Sequence, residues 1–129
     1  MSTKAHAQHN KSVCDHLFSN TTFYDWVVTT AFYAALHFVQ SKIFPFTEKS
    51  ETFNNIDEYV AYFYQKNGKE LSKHAATNKL VKERIPEIRK EYRKLFDTCM
   101  TARYSYYKVQ KIVAADAKAE LSIIESACK

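Results

Sequence analysis

The chain has 129 residues, a formal net charge of +5, one glycine and two prolines. A β-rich domain of this length would need many tight turns with glycine or asparagine at positive φ, so the composition argues against a β-fold and predicts helices. The length fits one domain spanning residues 1–129, and the 46% hydrophobic content is enough for a core without metal or disulfide cross-links.

The first two predicted helices occupy residues 3–18 and 23–44. The first has a polar N-terminal end that we expect to fray. Thr22 can cap the second helix while Asp25 reaches back to the exposed amide, and Pro45 stops it. Because the second helix is apolar on nearly all sides, we expect other helices to surround it.

Four further helices are predicted after a loop at residues 45–53. The third ends at Gly68, and the fourth is capped by Ser72. Pro86 ends the fourth helix and is well suited to the first position of the fifth. The sixth covers roughly residues 114–127. The expected fold is all-α, an up-and-down helical bundle of five to six helices.

The fifth predicted helix has the clearest periodicity in the chain. Its apolar positions repeat at alternating steps of three and four: Ile85, Ile88, Tyr92, Leu95, Cys99, Ala102 and Tyr106. Arg89, Arg93 and Arg103 lie along the adjoining flank, where they can frame a groove. Residues 79–94 carry seven basic and three acidic side chains, a net charge of +4. This segment is either a solvated face with Glu–Lys pairs or a surface that attracts phosphate.

The sequence lacks the usual motifs of nucleotide-cradling enzymes and metal sites. A single glycine leaves no glycine-rich phosphate loop. His6 and His9 have helical spacing, but no carboxylate or cysteine accompanies them, and the three cysteines are far apart. We therefore expect no metal, no cofactor and no disulfide. The first twenty residues contain no signal-like apolar run, so we expect a cytoplasmic protein with no membrane span.

Arg103 and His37 are the polar side chains best suited to ligand binding or catalysis. Arg103 is followed by Tyr104 and Tyr107, and a guanidinium beside aromatic faces suits phosphate capture and base stacking on RNA, or an acidic partner. The commoner role is a helix-terminal arginine that pairs with glutamate or the last carbonyls. His37 shares one helical stripe with Tyr33 and other residues, and its commoner role is a buried neutral histidine that donates one hydrogen bond.

Three blocks of the sequence resemble the HEPN domains, the higher eukaryotes and prokaryotes nucleotide-binding helical bundles. The blocks, within residues 10–110, are FYDWVVTTAFYAALHFVQ, KHAATNKLV and IPEIRKEYRKLFDTCMTARY. The chain looks most like small stand-alone prokaryotic members. The resemblance implies a bundle that forms a homodimer. It also implies a metal-independent ribonuclease that uses an arginine and a histidine four to six residues apart. Here Arg103 matches, but the histidine is missing, because that spacing leads to Lys108, Val109 and Gln110.

The prediction that follows is an RNA- or nucleotide-binding domain of a toxin–antitoxin or defence system. His74, matched to the family together with Asn78, is the expected partner of Arg103 in any catalysis. The expected ligand-binding residues of the cleft are Tyr104, Tyr107, Asn78, His37, Arg89 and Arg93. Two alternatives stay open. One is a protein-interaction or antitoxin-like module with a partner encoded nearby, and the other is a divergent ribonuclease with a substitute histidine.

Overall fold

The hydrophobic pattern of the chain folds into a helical bundle, and the computed structural model describes residues 3–129. The α-helices are α1 (Thr3–Asn20), α2 (Tyr24–Ile43), α3 (Ile56–Asn67), α4 (Lys73–Arg84), α5 (Arg89–Tyr104) and α6 (Lys111–Ala127). A two-stranded hairpin lies between α2 and α3, with β1 (Phe46–Glu48) antiparallel to β2 (Glu51–Phe53). The structure is 77% helical, so the predicted all-α helical bundle is confirmed.

Helix α2 is the centre of the bundle, as its apolar surface predicts. It packs against α1, α4, α5 and α6. Ala31, Phe32, Ala34 and Ala35 are all fully buried, and three alanines in five positions let neighbouring backbones approach closely. Within residues 3–129, no helix is long and apolar enough to cross a membrane.

The helix ends follow the predicted capping residues at α3 and α4 but not at α2. Ser72 Oγ accepts a hydrogen bond from the Ala75 amide at 3.0 Å, and Gly68 ends α3 at φ 68°. The capping box at Thr22 is wrong, because Phe23 occupies the N-cap position of α2 and no side chain caps it. Thr21 Oγ1 instead accepts from the Phe23 amide at 3.2 Å, one residue before the helix.

The loop predicted at residues 45–53 contains the hairpin, which turns at Lys49 and Ser50. Both residues have positive φ, 50° and 69°, in the left-handed region. Phe46 and Phe53 are paired across the two strands and face the core, where both rings pack on Tyr59. The hairpin therefore covers one end of the core with two aromatic side chains.

The seam of α5 is buried as predicted except at its C-terminal end. Ile88, Tyr92, Leu95, Cys99 and Ala102 are buried. The expectation for Tyr106 is wrong, because α5 ends at Tyr104 and the Tyr106 side chain is 60% exposed. Pro86 begins a short 3₁₀ turn, Pro86–Ile88, that leads into α5 rather than forming its first α-helical turn.

Candidate functional site

A recess opens between α1, α2 and α5, and we call it the Arg103 recess. Its volume is about 350 Å³. The lining residues are His6, Asn10, Trp26, Thr29, Thr30, Tyr33, His37 and Arg103. The stripe on α2 that was predicted from helical spacing supplies Trp26, Thr30, Tyr33 and His37, so these four side chains share one surface. Among the described residues, no aspartate or glutamate lines it.

Arg103 lies in the last turn of α5 and is held in place by two tyrosines. Its Nη1 donates to the Tyr33 hydroxyl at 2.6 Å, and its guanidinium carbon is 5.1 Å from the centre of the Tyr104 ring. Arg103 is exposed, and no carboxylate within residues 3–129 lies at ion-pair distance from it. Its remaining donors are therefore available to a ligand with acceptor oxygens.

His37 lines the same recess and stacks on His6 of α1. The two ring centroids are 3.8 Å apart, with 23° between the ring planes. Burial lowers the pKa of His37, and the nearby His6 lowers it further. The single hydrogen bond expected of a buried neutral histidine is not found for His37 in the described chain, where the Tyr33 hydroxyl accepts from Arg103. Because its pKa is lowered, His37 is a neutral imidazole at neutral pH, in the same recess as a guanidinium without a carboxylate partner.

His74 does not line the Arg103 recess. Its ring lies 5.7 Å from Phe32 and 5.6 Å from Phe96, and its Nδ1 is buried without a hydrogen-bond partner in the described chain. Burial lowers the pKa of His74, and the charge of Arg103 lowers it further, so the two groups are close enough to interact electrostatically. His74 therefore lies near Arg103 but is not among the residues that line its recess.

Asn78, Arg89 and Arg93 line a different depression, which we call the α4–α5 groove. Its volume is about 670 Å³, and it also includes Val81, Lys82 and Tyr92. None of the three predicted ligand-binding residues lines the Arg103 recess. The cleft expected from the sequence therefore separates into two surfaces, one around Arg103 and one along α4 and α5.

The aromatic residues near Arg103 differ in position. Tyr104 is 71% exposed and adjoins the guanidinium, whereas Tyr107 is 65% exposed in segment 105–110, between α5 and α6. Trp26, on the recess wall, is 53% exposed. An exposed tryptophan and tyrosine beside one arginine offer flat surfaces on which a planar ring could stack.

Helix α1 contributes two residues to the recess that were not among the predicted site residues. His6 and Asn10 lie four residues apart and so share one helical face, which is a detectable signal. The sequence pattern does not indicate which helix packs against that face. His6 was assigned to a fraying polar terminus, yet it lies within α1, which begins at Thr3, and its ring covers His37.

The described part of the chain contains neither a group of side chains placed to bind a metal ion nor an exposed cysteine thiol. No group of three histidine, cysteine, aspartate or glutamate side chains is placed to hold a metal ion there. Cys14, Cys99 and Cys128 are buried and free, and burial raises the pKa of each thiol to about 11. These thiols stay protonated at neutral pH and act as small hydrophobic side chains.

Comparisons of this chain with protein-family models, with curated proteins and with solved structures find no match. The resemblance to the HEPN domains accordingly stays a prediction.

The two depressed histidine pKa values predict a stability that depends on pH. Both His37 and His74 have folded-state pKa values below 6.5, so as the pH falls through about 6.5 the unfolded chain takes up protons first and the folded state loses stability. The double variant His37→Gln, His74→Gln should show a flatter decline in the free energy of unfolding between about pH 7.5 and pH 5. Urea denaturation at a series of pH values measures this difference. Ser122→Ala, at an exposed position with a side chain that does not titrate, is the control and should reproduce the wild-type profile.

Proposed function

We propose that this chain binds RNA, or a nucleotide, in the Arg103 recess. The observation that carries the proposal is an exposed guanidinium with no carboxylate partner among residues 3–129, fixed by the Tyr33 hydroxyl at 2.6 Å. An arginine whose orientation is set but whose charge is not neutralised is well suited to bind an anion. The absence of acidic side chains from the described lining removes the repulsion that a phosphate would otherwise meet.

Aromatic exposure favours a nucleotide over a simple anion. Trp26 lines the recess at 53% exposure and Tyr104 adjoins Arg103 at 71% exposure. Protein side chains of this kind stack on unpaired bases, while arginine holds the phosphate between them. Asn10 and Thr30 add polar groups that can bond to base edges or ribose hydroxyls.

The HEPN resemblance is part of the same proposal. A helical bundle with an Arg103-centred site agrees with it, and the homodimer and the toxin–antitoxin or defence context that it implies are proposed on that basis alone. In such a dimer, a second copy could bring further residues to Arg103.

A metal-independent ribonuclease is the second candidate, and the position of His37 favours it. Because its pKa is lowered, His37 is neutral at neutral pH and can take the proton of an RNA 2′-hydroxyl. The 2′-oxygen then attacks the phosphorus held by Arg103, the bond to the 5′-oxygen breaks, and a 2′,3′-cyclic phosphate forms. The proton held by His37 then passes to the leaving 5′-oxygen, which restores the neutral imidazole.

Substitution of Arg103 tests the binding function. Arg103→Ala should weaken binding of a fluorescent single-stranded oligoribonucleotide by about tenfold or more, because charge-assisted hydrogen bonds contribute about 1.5–3 kcal/mol. Arg103→Lys, which keeps the charge but loses the planar fork, should fall between Arg103→Ala and wild type. Fluorescence anisotropy at several salt concentrations gives the affinities, and the slope against salt should become shallower in Arg103→Ala.

Lys69→Ala is the control for that series, because Lys69 is exposed and lies outside the recess lining. Its affinity should match wild type, and thermal melting should show all variants folded. Undiminished binding by Arg103→Ala would refute the Arg103 recess as the binding site.

Incubating the same RNA with the proteins in EDTA distinguishes RNA binding alone from metal-independent ribonuclease activity. If wild type does not cut, the ribonuclease is excluded, and if His37→Asn cuts as fast as wild type, His37 is not the base.

A further inference from the structure

The α4–α5 groove carries more positive charge than its own ion pairs neutralise. Arg93 pairs with Asp97 at 3.2 Å, and Lys94 pairs with Glu120 at 3.1 Å. The other cations of the groove are Lys82, Arg89 and Lys90. None of these three has a carboxylate within ion-pair distance in the described chain.

Internal pairing does not account for the charge of this segment. Between residues 79 and 94, the ion pair formed within the described segment is Lys79–Glu83, at 3.5 Å. Glu87 and Glu91 lie in the same stretch of sequence but do not pair with the groove cations in the described structure. The groove thus keeps unpaired cations on both walls, Lys82 on α4 and Arg89 on α5.

The apolar surface of the groove comes from its walls, and the groove differs from the Arg103 recess in its aromatic content. Val81 and Tyr92 lie beneath it and are each only 1% exposed, so they offer almost no surface to a ligand. The aliphatic stems of the surrounding lysines and arginines supply the apolar surface below their charged ends. No exposed aromatic ring is among the lining residues in the described chain, so the groove offers no platform on which bases could stack.

We infer that the α4–α5 groove binds an acidic segment of a partner protein, in which glutamates or aspartates alternate with apolar side chains. The carboxylates would meet Lys82 on one wall and Arg89 on the other, while an apolar side chain packs between the aliphatic stems of the two walls. Charge complementarity sets the acidic character of the occupant, and the apolar stems favour a peptide over a bare polyanion. The inference is independent of RNA binding, because no residue of the groove lines the Arg103 recess.

Reversal of the groove charges tests the inference on the full chain. The probe is a short fluorescent peptide in which leucines alternate with runs of glutamate, and a pure glutamate peptide of equal charge serves for comparison. The double variant Lys82→Glu, Arg89→Glu should bind the leucine-containing peptide at least about tenfold more weakly than wild type. Lys69→Glu makes the same kind of charge change at an exposed site away from the groove and should bind as wild type does. Circular dichroism should show equal helix content in all three proteins.

Two comparisons distinguish an acidic, partly apolar peptide from other occupants of the groove: the pure glutamate peptide, and RNA binding by the groove variants. The leucine-containing peptide should bind more tightly than the pure glutamate peptide, because only its apolar side chains can pack on the aliphatic stems of the groove walls. Arg103→Ala should leave peptide binding unchanged, which separates this result from that of the RNA experiment. The inference is overturned if wild type does not bind the peptide, if the double variant binds it equally, or if the groove variants lose RNA binding while peptide binding is unaffected.

Discussion

Replacing Phe32 with alanine is expected to lower the free energy of unfolding by about 4 kcal/mol, the typical cost of removing a large ring from a closed core. Phe32 is fully buried on α2. Its ring centroid lies 5.3 to 5.7 Å from four other rings, those of Tyr33, His74, Tyr92 and Phe96. These neighbours come from α2, α4 and α5, so the cavity would open where three helices meet.

Chemical denaturation of wild type and Phe32→Ala measures the loss. Phe23→Ala is a matched control, because Phe23 precedes the same helix but is 60% exposed, and the change there should cost less than about 1 kcal/mol. Equal losses in the two variants would contradict the central position of Phe32. Phe32→Leu keeps part of the volume and should lose less than the alanine variant.

The same cluster connects the core to the candidate site. Tyr33 follows Phe32 in sequence, packs against its ring at 5.3 Å, and accepts the hydrogen bond that fixes Arg103. The position of the guanidinium therefore depends on a buried side chain that no ligand would touch. A change at Phe32 should therefore disturb Arg103 through Tyr33 as well as destabilise the core.

Local signals in the sequence were sufficient to predict most of the helices. The α5 seam at Tyr92, Leu95 and Cys99 has the period of a helix, and Ser72 and Gly68 mark helix ends by interactions within four residues. Each of these signals depends on neighbours in sequence, so the pattern alone is enough to identify it.

The hairpin was not predictable because its turn lacks the usual signal. Lys49 and Ser50 adopt left-handed conformations that glycine and asparagine normally occupy. The strands are three residues long, too short for an alternating pattern to be distinguished from a loop. Tertiary packing of Phe46 and Phe53 on Tyr59 stabilises a turn that the local residues do not favour.

Helical spacing indicates which residues of the candidate site share a helix face, but not which faces meet. Helical spacing places Tyr33 and His37 on one stripe of α2, and both line the recess. That Arg103 would meet this stripe, and that His6 would cover it, depends on the packing of α5 and α1 against α2, which spacing within one helix does not determine. The separation of Asn78 and Arg93 from Arg103 has the same origin.

Enlarging Ala7 to leucine is expected to lower the free energy of unfolding by about 2 kcal/mol, because overpacking a closed interface forces side chains or backbone to shift. Ala7 is fully buried on α1, and α1 packs mainly against α2. Because Ala7 follows His6 directly, a displaced α1 would also move the His6 ring away from His37. Burial of His37 and the influence of His6 both lower the His37 pKa, and both would then weaken, so that pKa should rise toward its usual range.

Two measurements separate the stability effect of Ala7→Leu from its effect on the recess. Denaturation gives the loss of stability, and Ala119→Leu, the same change at an exposed position of α6, should stay within about 0.5 kcal/mol of wild type. Titration of the His37 imidazole by NMR reports the recess directly. A leucine variant that is destabilised but keeps the wild-type His37 pKa would mean that the interface relaxes without moving His6, and that the histidine stack is held by contacts other than the Ala7 interface.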